Sequence, residues 1–378
     1  MADEDIIFDA VERMEWDERK EDENPFTRWR QMTRRTALTG AAAGIAATIL
    51  EACGSSSKSS SSAATGGGSA SASIFGAGGP YKFTLVCHVT TNPFFTPTQS
   101  GAADACKLLG CSFQWTGSQT SNNTEMVNAV NSAASAGSNG IGVCLVDLHA
   151  FNAPVEAALS KGIPVVAFNA DAAGNARLAY IGQDLYLSGQ EEGQHIASLV
   201  PSGDVALFIA TPGALNIQPR IDGALNTLKS HPSITPHVID TGADVPGELT
   251  KIDAYAVGHP NTKGFFAVDA GSTQGLAQTI QKHSLRAKGV KGGGYDLTPI
   301  TEQLLSADQI DFTIDQQPYL QGFFPILELY MYNITQKLTG VADINTGLKF
   351  LDKTTIGPYV STKSRYEGTG TNVGVQKA

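Results

Sequence analysis

The sequence is poor in what most functional classes require. It carries 26 Lys and Arg against 36 Asp and Glu, a formal net charge of −10 over 378 residues. An acidic balance of this kind lacks the basic stripe that nucleic acid demands, so a nucleic-acid partner is excluded. After Tyr81 there is no run of 18 or more strongly apolar residues, so the body is expected to be soluble. The predicted strand ends hold no Ser–His–Asp order, no metal-ligand cluster and no phosphate loop. No catalytic residue, metal or cofactor is therefore expected. Hydrophobic residues still make up 42%, which permits a sizeable core. About 300 residues beyond an atypical front end suggest two domains.

That front end, residues 1–53, is an export segment rather than fold. Its first part is charged and mostly acidic. Then "TRRTALTGAAAGIAATILEAC" places Arg34 and Arg35 before a short run of small apolar residues without a polar face. The Thr-Arg-Arg-x-x-Leu pattern resembles a twin-arginine signal. Leu50-Glu51-Ala52-Cys53 resembles a bacterial lipobox, with Glu51 as a departure, and makes Cys53 the expected lipidation site. Residues 54–80 form a Gly/Ser-rich tether with little apolar content to bury. A lipid on Cys53 would hold the body at the outer face of the cytoplasmic membrane.

Cysteine is also scarce. Of five, four lie in the body: Cys87, Cys106, Cys111 and Cys144. Cys106 and Cys111 bracket a predicted helix–strand turn, and a disulfide is expected between them in an oxidising compartment. Cys87 and Cys144 lie in apolar strand runs and are read as buried thiols.

From Tyr81 the pattern alternates strand and helix, with continuous Val- and Ile-rich strands such as "IPVVAFNAD" and "GDVALFIA". Such strands are buried on both faces of a parallel sheet. The expected fold is α/β, two doubly wound parallel-sheet lobes joined by three crossovers near Gln183, Gln316 and Thr346. The N-terminal lobe is expected to comprise 81–183 plus 317–345, and the C-terminal lobe 184–316 plus 346–360, followed by a flexible tail, 361–378. Glu192 is expected to be exposed on a surface helix.

Ligands of open parallel sheets gather at the carboxyl ends of the strands. The residues there are Asn92, Phe94 and Phe95 after the first strand, Asn169 with Asp171, then Arg220, Asp269, Tyr295 with Asp296, and Gln316. Amides, carboxylates, a guanidinium and aromatic rings suit a neutral polyol. Rings cover its C–H faces and polar groups pair with its hydroxyls.

In this order and spacing, "NPFF", "IPVVAFNAD", "YIGQD", "RIDG", "FFAVD", "GGYD" and "TIDQQPYLQG" resemble the periplasmic sugar-binding proteins of ABC importers, of the ribose-binding kind. The likeness runs from Lys82 to about Thr354. It implies a type I periplasmic binding protein, monomeric and exported, that captures a monosaccharide or sugar alcohol and docks on an ABC permease. It further implies that Phe94 and Phe95 sandwich the sugar beside Asn92. Arg220 becomes the second-lobe guanidinium, Asp296 the carboxylate at the hinge and Gln316 an amide on a crossover. Asn169 stands where the family often has an Asp beside an Arg, and Ala170 replaces that Arg. Asp269 replaces an Asn, and His88 fills a position that is usually small and polar. These departures argue against simple ribose. Two rivals are a sugar-like signal receptor feeding a membrane sensor, and an enzyme using Asp269 and Asp296 as paired carboxylates.

Overall fold

The computed structural model describes residues 79–337 and 340–360. The export segment, Cys53, most of the tether and the tail from 361 lie outside them. Five strands of the first lobe are β1 (Lys82–Cys87), β2 (Ser112–Gly117), β3 (Gly140–Val143), β4 (Val165–Phe168) and β5 (Tyr180–Gly182). They alternate with α1 (Thr96–Leu109), α2 (Asn123–Ser135) and α3 (Asn152–Ser160). In the second lobe α4 (Leu185–Leu199), β6 (Gly203–Ile209), α5 (Gln218–Leu228), β7 (Ile234–Asp240), α6 (Val245–Gly258), β8 (Gly264–Ala267), α7 (Ala270–Lys282), β9 (Lys291–Tyr295), α8 (Pro299–Ser306) and β10 (Phe312–Asp315) follow. The chain then returns through α9 (Leu320–Ile334), β11 (Ile344–Asn345) and β12 (Lys349–Leu351).

Two six-stranded sheets result, ordered β11-β5-β4-β3-β1-β2 and β12-β10-β9-β8-β6-β7. All pairings are parallel except β10 with β12. The continuous apolar strands have the physical cause expected. Along β6, Ala206 and Phe208 enter one core, while Val205, Leu207 and Ile209 enter another on the opposite face. The chain passes between the sheets three times: after β5 at Gln183, after β10 at Gln316, and from β11 to β12 through Thr346. The short β11 and β12 carry too few residues for a pattern to show, and the sequence alone does not reveal them. The helix α6 begins earlier than its apolar pattern suggests, because Asp244 caps it through Gly247 N and a proline occupies its first turn.

Cys106 and Cys111 are free thiols, not the expected disulfide. The turn is closed instead by Cys111 N donating to Cys106 O at 3.0 Å. The side chains hydrogen-bond to each other, which raises the Cys106 thiol and lowers that of Cys111. Cys87 and Cys144 are both fully buried. Among the described residues no helix is long and apolar enough to cross a membrane.

Two glycines set how closely α9 returns onto the first lobe. A Cβ at Gly322 would collide with the carbonyl oxygen of Thr98, and one at Gly101 with that of Tyr319. The backbones of α1 and α9 therefore touch, with no side chain between them. Gly322→Ala is expected to destabilise the protein by about 1–3 kcal/mol. Denaturant unfolding checks this, and an unchanged midpoint would mean that the two helices can separate at no cost.

Candidate functional site

The site assembles where the strands of both sheets end. Asn92 follows β1 and has extended backbone. Its Oδ1 accepts a hydrogen bond from Phe94 N at 3.0 Å and so caps the single turn Pro93–Phe95. This turn swings Phe94 and Phe95 inward, where both are buried. Their rings meet edge to face at 4.7 Å, and Phe95 also touches His88 and Trp115. Asn92 itself is half-buried and lines an open groove with Gln119 of the first lobe and Asp244 and Pro299 of the second.

Asn169 follows β4 with φ of +64°, in the left-handed region that asparagine tolerates better than most residues. Its Nδ2 donates to Gln321 Oε1 at 3.2 Å. Gln321 Nε2 in turn donates to Gln316 Oε1 at 3.0 Å, and Gln316 Nε2 to Asp296 Oδ1 at 2.7 Å. Four buried polar side chains thus form one relay from the first lobe, across the crossover, to the second. Asp296 also has positive φ, +73°.

Arg220 opens α5 and is only 2% exposed. Its guanidinium lies 4.0 Å over the Tyr295 ring. One arm donates to Val268 O at 2.8 Å and the other to Gln183 Oε1 at 3.1 Å. Tyr295 is held by its hydroxyl, 3.1 Å from Ser188 Oγ.

The lobes meet directly. Asn216 of the second lobe places Nδ2 at 3.2 Å from His88 Nε2 of the first, and Leu215 N donates to Val146 O at 3.0 Å. Several polar atoms here are buried without a partner: His88 Nδ1, Asn169 Oδ1, Asn216 Oδ1 and Arg220 Nε. Leaving such groups unpaired costs about 1–3 kcal/mol each, so they are suited to pairing with hydroxyls of a bound molecule.

Not every expected residue joins this set. Asp171 is held by Arg177, whose Nε donates to its Oδ1 at 2.8 Å and whose other arm reaches Asp343. It borders a separate groove beside the hinge with Tyr180, Gln183 and Asn345. Asp269 caps α7: Ser272 N donates to one oxygen at 2.8 Å and Ala210 N to the other at 2.9 Å. It also hydrogen-bonds the buried carboxyl of Glu248. Asn216, Gln183 and Gln321 are the residues that strand-end reasoning missed as polar groups of the site. The first lies in a loop, and the others are amides, a type that sequence patterns do not mark.

Glu192 corrects an expectation. It is fully buried, not exposed, with both carboxylate oxygens unpartnered. Gly189 and Gly193, on the same face of α4, let α5 approach closely: a Cβ at Gly189 would meet the Arg220 carbonyl, and one at Gly193 the Thr227 side chain and the Ala224 carbonyl. Burial pushes its pKa well above the usual carboxylate range, with Arg220 opposing in part.

The site is short of positive charge, and its carboxyls respond alike. Burial raises Asp296 to about 7 and Asp315 to about 6, and it raises Glu248 to about 10. These groups bind protons in the folded state that the unfolded chain releases above about pH 4, so stability falls as pH rises through that range. His88 opposes below its ordinary 6.5, because burial lowers it to about 4. The melting temperature without sugar is therefore expected to be higher at pH 6 than at pH 8, with a shallower slope in Asp296→Asn. Equal melting at the two values, or a higher one at pH 8, would contradict the burial-driven shifts.

Known proteins share this fold. Residues 83–334 match the family model of the periplasmic binding protein domain. Xylose/arabinose-binding protein XylF of Sulfolobus acidocaldarius is 49% identical over 306 residues, 77% of this chain and 75% of that protein. GanP, a glucose-galactose binding protein from Geobacillus stearothermophilus, superposes with a TM-score of 0.66 at 25% identity, over 73% of this chain and 98% of the other. An ABC transporter solute-binding protein from Burkholderia graminis, in complex with D-arabinose, has the same fold, with a TM-score of 0.70 at 22% identity over 75% and 99% of the two chains. Two parallel-sheet lobes, three crossings between them and a polar site at the facing strand ends place the chain in the periplasmic binding protein family.

Proposed function

We propose that the protein is an exported receptor that captures a neutral pentose, of the xylose or arabinose class, between its lobes and presents it to an ABC permease. The observation that carries this reading is the set of buried, unpaired polar atoms drawn from both lobes: Asn169 Oδ1, Asn216 Oδ1 and Arg220 Nε. Amide oxygens accept from hydroxyls and the guanidinium donates to them, so a polyol can satisfy the set without bringing charge. Asp296, held by Gln316, supplies the strongest acceptor. The relative named for xylose and arabinose supports the pentose class. In this reading Phe94 lies against the sugar, Cys53 anchors the chain, and the ligand leaves unchanged. Both oxygens of Asp269 accept from backbone N–H groups, which supports a capping role rather than half of a hydrolytic pair.

Calorimetry with D-xylose, L-arabinose, D-ribose and D-glucose tests the proposal, with the recovered sugar checked by chromatography. One site per chain is expected, tightest for xylose or arabinose. Asp296→Ala should weaken it by about 2–5 kcal/mol. Phe94→Ala should weaken binding, while Phe95→Ala should chiefly lower stability without sugar, by about 3–5 kcal/mol. Wild-type affinity in Asp296→Ala would put the sugar elsewhere. No heat with any of the four sugars would remove the pentose assignment.

A further inference from the structure

Beside the polar set, His88 adjoins chemistry of another kind. Cys87 ends β1, and Cys144 follows β3, the neighbouring strand, with Cys144 N donating to Val86 O at 3.0 Å. Both thiols are fully buried and hydrogen-bond to each other. One ligand atom from each of Cys87, His88 and Cys144 lies within 4.8 Å of the other two. Of the imidazole nitrogens, Nε2 is occupied by Asn216 at 3.2 Å, whereas Nδ1 is buried without a partner.

Two sulfurs and one imidazole nitrogen are a soft donor set. Three such atoms around one ion, at about 2.0–2.3 Å from it, would stand roughly 4 Å apart, which agrees with the observed limit. Zinc favours a fourth ligand, and among the described residues no fourth His, Cys or carboxylate belongs to the group. The hard cations Ca²⁺ and Mg²⁺ take oxygen ligands, which this group lacks. We propose that Cys87, His88 and Cys144 form a three-coordinate site for a soft monovalent cation, Cu(I), at the carboxyl ends of β1 and β3. Binding releases thiol protons to solvent and transfers no electron. With the ion on Nδ1, Nε2 carries the ring proton and donates to Asn216, so the amide must present its oxygen to His88 and its NH₂ elsewhere. The site thus bears on an inter-lobe contact.

The test uses the full chain carrying Cys53→Ser, Cys106→Ala and Cys111→Ser, which leaves Cys87 and Cys144 as the only thiols. Reduced, oxygen-free protein is titrated with Cu(I) against a chromogenic Cu(I) chelator. One ion per chain is expected, with a sulfur-to-copper band in the near ultraviolet. Adding Cys144→Ser should abolish the band, and adding His88→Gln should weaken affinity about tenfold or more. Circular dichroism confirms that each variant is folded, and the histidine variant serves if the cysteine one is not. No bound ion in a parent variant with two titratable thiols would overturn the site. Unchanged affinity in folded Cys144→Ser or His88→Gln would do the same, as would a Cys87–Cys144 disulfide found by peptide mapping of the exported wild type.

Discussion

Arg220 is the constraint around which the second lobe is organised. A guanidinium cannot shed its proton, so burying it obliges the surroundings to solvate it. The solvation comes from three directions: the Tyr295 ring, the Val268 carbonyl and the Gln183 amide. Gln183 belongs to one crossover and also donates to Gly347 O in another. The same charge therefore holds two of the three strands that join the lobes. Its Nε is buried without a partner, so in the proposed reading binding and hinge geometry share one side chain.

A single buried cation cannot keep several buried carboxyls ionised. Asp296, Glu192 and Asp269 all feel desolvation first, and Arg220 offsets it for the first two only in part. Burial therefore holds all three carboxyls above their ordinary range.

Much of this was legible in the sequence because α/β folds put function at the ends of patterned elements. "NPFF" announced a capped turn after β1, and the cap is present in Asn92. The placement of Arg220, Tyr295, Asp296 and Gln316 at strand ends followed from the same rule, and the structure brings them together. What failed did so for local reasons. The polar string around Glu192 reads as an outer face, yet Gly189 and Gly193 at helical spacing were the available sign that another backbone covers it. Asp171 stands at a strand end but lies close enough to Arg177 to pair with it, a contact between loop residues that no periodicity predicts. Asn216 reaches the site from an irregular loop, where sequence offers no register at all.

The contact between α1 and α9 has a mechanical meaning. Because their backbones touch at Gly101 and Gly322, no side chain between them can change rotamer and absorb movement. α9 begins four residues after the Gln316 crossover, and α1 directly follows the turn that carries Phe94 and Phe95. Any rotation about the crossovers must then reach those rings undiminished, as through a rigid lever. The compliance of the molecule is left to a few backbone torsions, at Gln317 with φ of +57° and Gly347 with φ of +95° among them. In the proposed reading, the amplitude of closure is geared by two glycines that lie outside the polar set of the site.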